Sequence, residues 1–158
     1  MIQQSTRPQT LGYALHDSPV ALLAWIYDKL HLWTDGYPWT DDEILTWVSI
    51  YLFSAAGPTA STRIYYETSE DGSLMETISK PAPAGVKVAV AQFEKEVMKY
   101  PVSWMRLLSD GSVRATEYPR GGHFAAWEVP ELLVEDLKAF VGRDGPAFGV
   151  VEGRNGFE

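Results

Sequence analysis

The chain has no cysteine among its 158 residues. That excludes a disulfide framework and any thiolate metal site, and it fits a cytoplasmic protein. It has no excess or cluster of basic residues either: 13 Lys and Arg stand against 21 Asp and Glu, for a net charge of −8. Neither nucleic acid nor an anionic membrane surface is an expected partner for such a chain. No apolar run approaches the ~20 residues that span a bilayer, so no transmembrane segment is expected. The opening "MIQQSTRPQTLGY" lacks the basic and apolar blocks of a signal peptide and the arginine run of a transit peptide. Metal-ligand spacings of the HExxH kind are missing, as are the glycine loops that cradle phosphates. No metal and no cofactor are therefore expected.

What is present is ordinary for a globular domain, with 46% apolar and 22% charged residues. The first half reads as helical and aromatic. Pro8 opens a short helical stretch through Leu15. Ser18 then stands as an N-cap before Pro19 and launches "VALLAWIYDKLHLW", apolar nearly all round and so expected to be buried on more than one side. "TDDE" from Thr40 to Glu43 is a capping box ahead of "ILTWVSIYLF", which Gly57–Pro58 should end. A further helix starts in "TASTRIYYET". Residues 69–85, polar and rich in Pro and Gly, form the expected connector.

Beyond it the pattern changes to strand, helix, strand, helix. "VKVAVAQF" (86–93) and "VRATEY" (113–118) are the strands, "YPVSWMRLL" the helix between them, and "SDGS" (109–112) a turn. A closing helix over 130–141 puts Leu132, Leu133, Leu137 and Phe140 on one face. This is a βαβ unit with parallel strands, hence an α/β fold. The glycine-rich residues 142–158 are expected to be a loose tail.

Three residues invite a chemical role. His123 stands on a loop behind Gly121 and Gly122, at the edge where open α/β sheets carry their sites; it is either a base presented there or a solvated loop histidine. Glu96 leaves the first strand at the same edge and suits the acid that orients a histidine. Glu94 is two residues away, and either glutamate serves equally as a solvated charge. Tyr65 is a phenol that can hydrogen-bond a developing oxyanion, or one amphipathic packing residue among eight tyrosines. His16 and His31 sit in helical, aromatic surroundings and read as packing or surface residues.

Taken together, these stretches resemble one family. "STRPQTLGYALHDSPVALLAWIYDKLHLWTD" is similar to the lid segment of epoxide hydrolases of the microsomal and juvenile-hormone type. Their pattern T-[KR]-P-x-T-x-G-x-A-L-x-D-S-P-x-G-L-x-A-[WY]-I is kept at Thr6, Arg7, Pro8, Thr10, Gly12, Ala14, Leu15, Asp17, Ser18, Pro19, Leu22, Ala24, Trp25 and Ile26, with Ala21 where glycine is usual. "RGGHFAAWEVPELLVEDLKAFV" resembles the segment that carries the family's catalytic histidine. The resemblance runs from about residue 3 to residue 141. It implies an α/β-hydrolase with a helical lid over 1–68, the connector 69–85, part of the hydrolase core over 86–141, and the tail 142–158. In that family an aspartate attacks the epoxide to form an ester, lid tyrosines hydrogen-bond the epoxide oxygen, and a histidine–acid pair activates the water that cleaves the ester. By the same resemblance His123 matches the base. Glu96 matches its acid through the E-(x)4-P-x-x-W frame, and Tyr65 matches a ring-opening tyrosine through R-x-Y-x-E, with Tyr66 a weaker alternative. Trp25, Trp47 and Phe124 are the side chains expected to line an apolar substrate site.

The departure from the family is large. No G-x-D-x-G nucleophile elbow and no H-G-x-P oxyanion segment occur in the sequence. By the resemblance, the chain starts inside the lid, lacks the earlier strands of the fold, and should not turn over an epoxide unless a complementing chain brings the aspartate. A non-catalytic ligand-binding or self-associating module, its lid aromatics forming a pocket or a homo-oligomer surface, is the alternative. A dehalogenase-like lidded hydrolase is a third, against which the Tyr65 frame speaks.

Overall fold

The computed structural model of the chain describes residues 2–72, 76, 80–108 and 113–155. The turn expected at 109–112, residues 73–75 and 77–79 of the expected connector, and residues 156–158 of the expected tail lie outside the described residues. The chain divides into two compact units: Met1–Leu32 with Gly36–Thr77, and Trp33–Asp35 with Ile78–Glu158.

The first unit is helical: α1 (Ile2–Thr6), α2 (Pro8–Asp17), α3 (Pro19–Leu32), α4 (Asp41–Phe53) and α5 (Ala60–Asp71). Local chemistry accounts for the boundaries. The break between α2 and α3 falls at Ser18, whose hydroxyl accepts the Ala21 N–H at 3.2 Å, with proline at the next position. Thr40 and Glu43 form the reciprocal capping box of α4. That helix stops at Phe53, before the glycine expected to end it, and α5 runs on to Asp71, where Gly72 closes it in the left-handed region at φ 65°. Leu22, Ile26 and Leu30 of α3 are buried with Ile44 and Val48 of α4. Val20, Tyr27 and Leu32 of α3 are exposed, so α3 buries a single stripe at helical spacing, not the several sides expected. Against α2, Gly12 comes so close to Thr59 that a methyl group would collide with it.

The second unit holds β1 (Ala89–Lys95), the short helix α6 (Val102–Met105) with one 3-10 turn (Arg106–Leu108), β2 (Arg114–Gly122), the one-turn α7 (Ala125–Glu128) and α8 (Pro130–Val141). The strands pair in parallel from Ala89–Arg114 to Phe93–Tyr118. The next pair is Lys95–Gly122, so β2 advances four residues while β1 advances two. This bulge re-aims the end of β2. Phe93, Ala125 and Val129 form the core of the unit, with Ala91, Tyr118, Leu132 and Leu133 against it. Among the described residues no helix is long and apolar enough to cross a membrane. Past α8, the Ala147 N–H returns to the Phe140 carbonyl at 3.1 Å.

The inner face of α8 is not wholly apolar. Leu137, expected there, is 56% exposed, while Asp136 is 5% exposed. The physical reason lies across the sequence. Asp136 Oδ1 accepts Arg114 Nε at 3.0 Å and the Thr116 hydroxyl at 2.8 Å, and that pairing turns the helix. The Tyr118 phenol is pushed up from its ordinary value, first by burial and then by the Asp136 charge and a hydrogen bond to that carboxylate. Because the folded protein favours the neutral phenol, Tyr118 contributes stability that is intact below about pH 10 and is lost as pH rises through the elevated midpoint. Asp136→Ala is expected to destabilise the chain by about 1–2 kcal/mol, the cost of losing the acceptor of two half-buried donors, and to bring the Tyr118 titration down toward, but not to, that of a free phenol. Urea denaturation and a tyrosinate absorbance titration check the two parts; an unmoved Tyr118 midpoint would refute the linkage.

Candidate active site

Parallel register brings the site together. Lys95 pairs with Gly122, so the next residue on each strand, Glu96 and His123, leaves the sheet at the same end. There His123 Nδ1 lies 2.7 Å from Glu96 Oε1. An ionised carboxylate can only accept, so Nδ1 carries the hydrogen and the neutral imidazole keeps its lone pair on Nε2. The histidine side chain is 43% exposed and the glutamate 27%. Trp33 and Phe124 meet the imidazole edge-on, at centroid distances of 5.1 and 5.3 Å, and restrain its rotation. The two candidate acids take different partners: Glu94 pairs with Lys99 at 2.9 Å, Glu96 with His123. The loop after β1 is held by buried Gln92, whose Oε1 accepts the Tyr100 N–H at 2.9 Å.

The two glycines before the histidine are required by space and by backbone. Gly121 has φ 94°, and a Cβ there would lie 2.6 Å from Val129 Cγ2 and 2.9 Å from Phe93 Cδ1. A Cβ on Gly122 would lie 2.5 Å from the Trp33 carbonyl oxygen. That close approach lets the His123 N–H donate to the same carbonyl at 2.8 Å.

Two further carboxylates hold this loop, and neither stood out in the sequence. Glu128 Oε1 accepts the N–H groups of Gly122 and Phe124, each at 3.1 Å, and its Oε2 accepts the Asp35 N–H at 2.6 Å. Asp35 Oδ2 accepts the Gly121 N–H at 3.0 Å. The only sequence signal was indirect: a glutamate five residues beyond a loop histidine, at the end of a one-turn helix, is well placed to fold back on that loop.

The remaining sequence candidates belong to the helical unit. Tyr65 lies on α5 with its residue 40% exposed, and its carbonyl accepts the Ser69 hydroxyl. Trp25 on α3 carries the Lys29 ammonium 3.9 Å over its ring, and Trp47 on α4 packs edge-on to Trp39. Among the described residues no group of three or more His, Asp or Glu is arranged to hold a metal ion.

No family model matches the chain. It is 39% identical over 140 residues to a putative epoxide hydrolase of Stigmatella aurantiaca, covering 85% of this chain and 30% of that protein. It is 37% identical to epoxide hydrolase 1 of Sus scrofa, covering 88% and 33% respectively. Among solved structures, the juvenile hormone epoxide hydrolase of the silkworm Bombyx mori superposes with a TM-score of 0.73 at 29% identity, covering 86% of this chain and 34% of that one. The chain thus spans about a third of the length of the curated relatives it matches.

Gly121→Ala should destabilise the chain by about 2 kcal/mol or more, since strained backbone costs roughly 1–3 kcal/mol and the added methyl overpacks a filled site. Urea denaturation measures it. A loss of a few tenths of a kcal/mol would mean that the loop has room the geometry denies.

Proposed function

We propose, from the homology that joins this chain to the epoxide hydrolases and to a C-terminal portion of their α/β-hydrolase fold, that His123 and Glu96 are the water-activating pair of an epoxide hydrolysis. The observation that carries this is the 2.7 Å contact between His123 Nδ1 and Glu96 Oε1 at the end of the parallel pair. With Nδ1–H held by the carboxylate, Nε2 is the atom that takes a proton from water. The hydroxide so formed adds to the carbonyl carbon of an aspartyl ester; the acyl–oxygen bond breaks, the alkoxide takes a proton, and the diol leaves. Glu96 stabilises the imidazolium between the two proton transfers, as the acid of a hydrolase triad does. Tyr65 donates a hydrogen bond to the epoxide oxygen as the ring opens in the preceding step. Trp25, Trp47 and Phe124 contact the apolar part of the substrate.

The aspartate that forms the ester has no G-x-D-x-G elbow in these 158 residues. The 158-residue chain is therefore proposed to be inactive by itself and to work with a segment that supplies the nucleophile. The test is diol formation from an aryl-substituted epoxide, followed by chromatography. The chain alone should give no diol above the buffer rate. Joined to an aspartate-elbow segment it should turn over, and His123→Ala should lower that rate by about 10²–10⁴. Turnover by the chain alone would overturn the need for a second segment, and undiminished turnover in His123→Ala would remove the histidine from the mechanism.

A self-associating module is the second reading, favoured by a specific observation: Val20 and Phe53 of the helical unit are 72 and 79% exposed. Sedimentation velocity decides it. A concentration-dependent dimer that Phe53→Ser disperses supports this role, and a strict monomer at millimolar concentration rejects it.

A further inference from the structure

Four consecutive backbone N–H groups surround the candidate base, and each finds an acceptor. Gly121 donates to Asp35 Oδ2 at 3.0 Å, Gly122 and Phe124 to Glu128 Oε1 at 3.1 Å, and His123 to the Trp33 carbonyl at 2.8 Å. The acceptors are tied to one another, because the Asp35 N–H donates to Glu128 Oε2 at 2.6 Å. These four N–H bonds thus end on Glu128 or on the three-residue strap Trp33–Asp35. That strap lies between helices of the first unit in sequence but belongs to the second unit in space. The same strap supplies the Trp33 ring against the imidazole.

We propose that Glu128, acting with Asp35, is a positioning residue for His123: it sets the loop backbone so that Nδ1 meets Glu96. The physical basis is the strength and direction of hydrogen bonds to ionised acceptors. One carboxylate oxygen takes the N–H groups on either side of the histidine, so the Cα of His123 is pinned from both neighbours. Functional geometry has to be held to about 0.5 Å, and a glycine pair with its wide backbone freedom does not supply that by itself. Glu128 is 32 residues beyond Glu96 and makes no contact with the imidazole among the bonds above; it acts through the loop. This rests on the His123–Glu96 contact alone and stands whether or not the chain hydrolyses epoxides.

The experiment is proton NMR of the full chain labelled with 15N at histidine. The His123 Nδ1–H, held by a carboxylate, should give a downfield signal in slow exchange with water, and Glu96→Ala should abolish it. Glu128→Ala should abolish it or speed its exchange at least tenfold, while the amides of Phe93 and Tyr118 stay protected in the sheet. Glu128→Gln should recover part of the effect, because a carboxamide oxygen still accepts from Gly122 and Phe124. If Glu128 were only structural, Glu128→Ala would lower the unfolding midpoint and leave the Nδ1–H signal where it was; that result overturns the proposal. So would a wild-type spectrum without the signal. Should Glu128→Ala lose the sheet protection, the decision passes to Asp35→Ala, which removes one accepted bond at Gly121: faster Nδ1–H exchange supports the positioning role, and an unchanged rate rejects it.

Discussion

At Gly121 and Gly122 the end of β2 runs against three surfaces at once: the Val129 side chain, the Phe93 ring and the carbonyl of Trp33. No residue with a Cβ fits at either position without moving something, and Gly121 also needs a positive φ. Much else in the second unit follows from this contact. Because the backbone can come so close, the His123 N–H reaches the Trp33 carbonyl, and the ring of Trp33 reaches the imidazole. Because the turn lies over Phe93 and Val129, it is seated on the hydrophobic cluster that also anchors α7 and α8. The glycine pair is sterically constrained at both of its positions.

The parallel pairing supplies the complementary constraint. A parallel register carries both strands to the same edge, so a carboxylate and a histidine 27 residues apart in sequence become neighbours there. The bulge before Gly122 adjusts the exit of β2 without disturbing the pairs from Ala89 to Phe93. On the β1 side, Gln92 and the Glu94–Lys99 ion pair fold the following loop back over the strand end. Glu96 is therefore held by its own loop and His123 by another, and the pair forms where the two loops converge.

The acidic residues, which make the chain so negatively charged, divide into distinct tasks. Asp136 is buried and orients α8 through Arg114 and Thr116; its charge also keeps the Tyr118 phenol protonated to higher pH. Glu131, fully solvated at the start of the same helix, sits below the ordinary glutamate range because its own backbone N–H and Arg120 both donate to it. Asp35 and Glu128 accept backbone donors of the histidine loop, while Glu96 meets the imidazole. Distance in space separates a carboxylate that touches the candidate base from those that hold its backbone, and composition shows none of this.

Local signals were enough for much of the chain. The Ser18–Pro19 start of α3, the Thr40–Glu43 box, the strand–helix–strand–helix order and the glycines before His123 are all written in adjacent residues, because caps, boxes and tight turns are made by side chains one to four positions apart. The motifs around His123 and Glu96 likewise pointed to the epoxide hydrolases from short stretches. Other features depend on partners far away in the sequence. Asp136 rather than Leu137 faces inward because Arg114 and Thr116 wait there, more than twenty positions upstream on average. Asp35 stands between two helical stretches in the sequence, yet it bonds to Gly121 and Glu128 across 86 and 93 positions. Sequence by itself determined the main helices, the two strands and their order, and singled out the two residues that meet at 2.7 Å; only tertiary structure decided the register that makes them meet and the carboxylates that hold the loop, because hydrogen bonds between distant segments exist only once the chain has closed on itself.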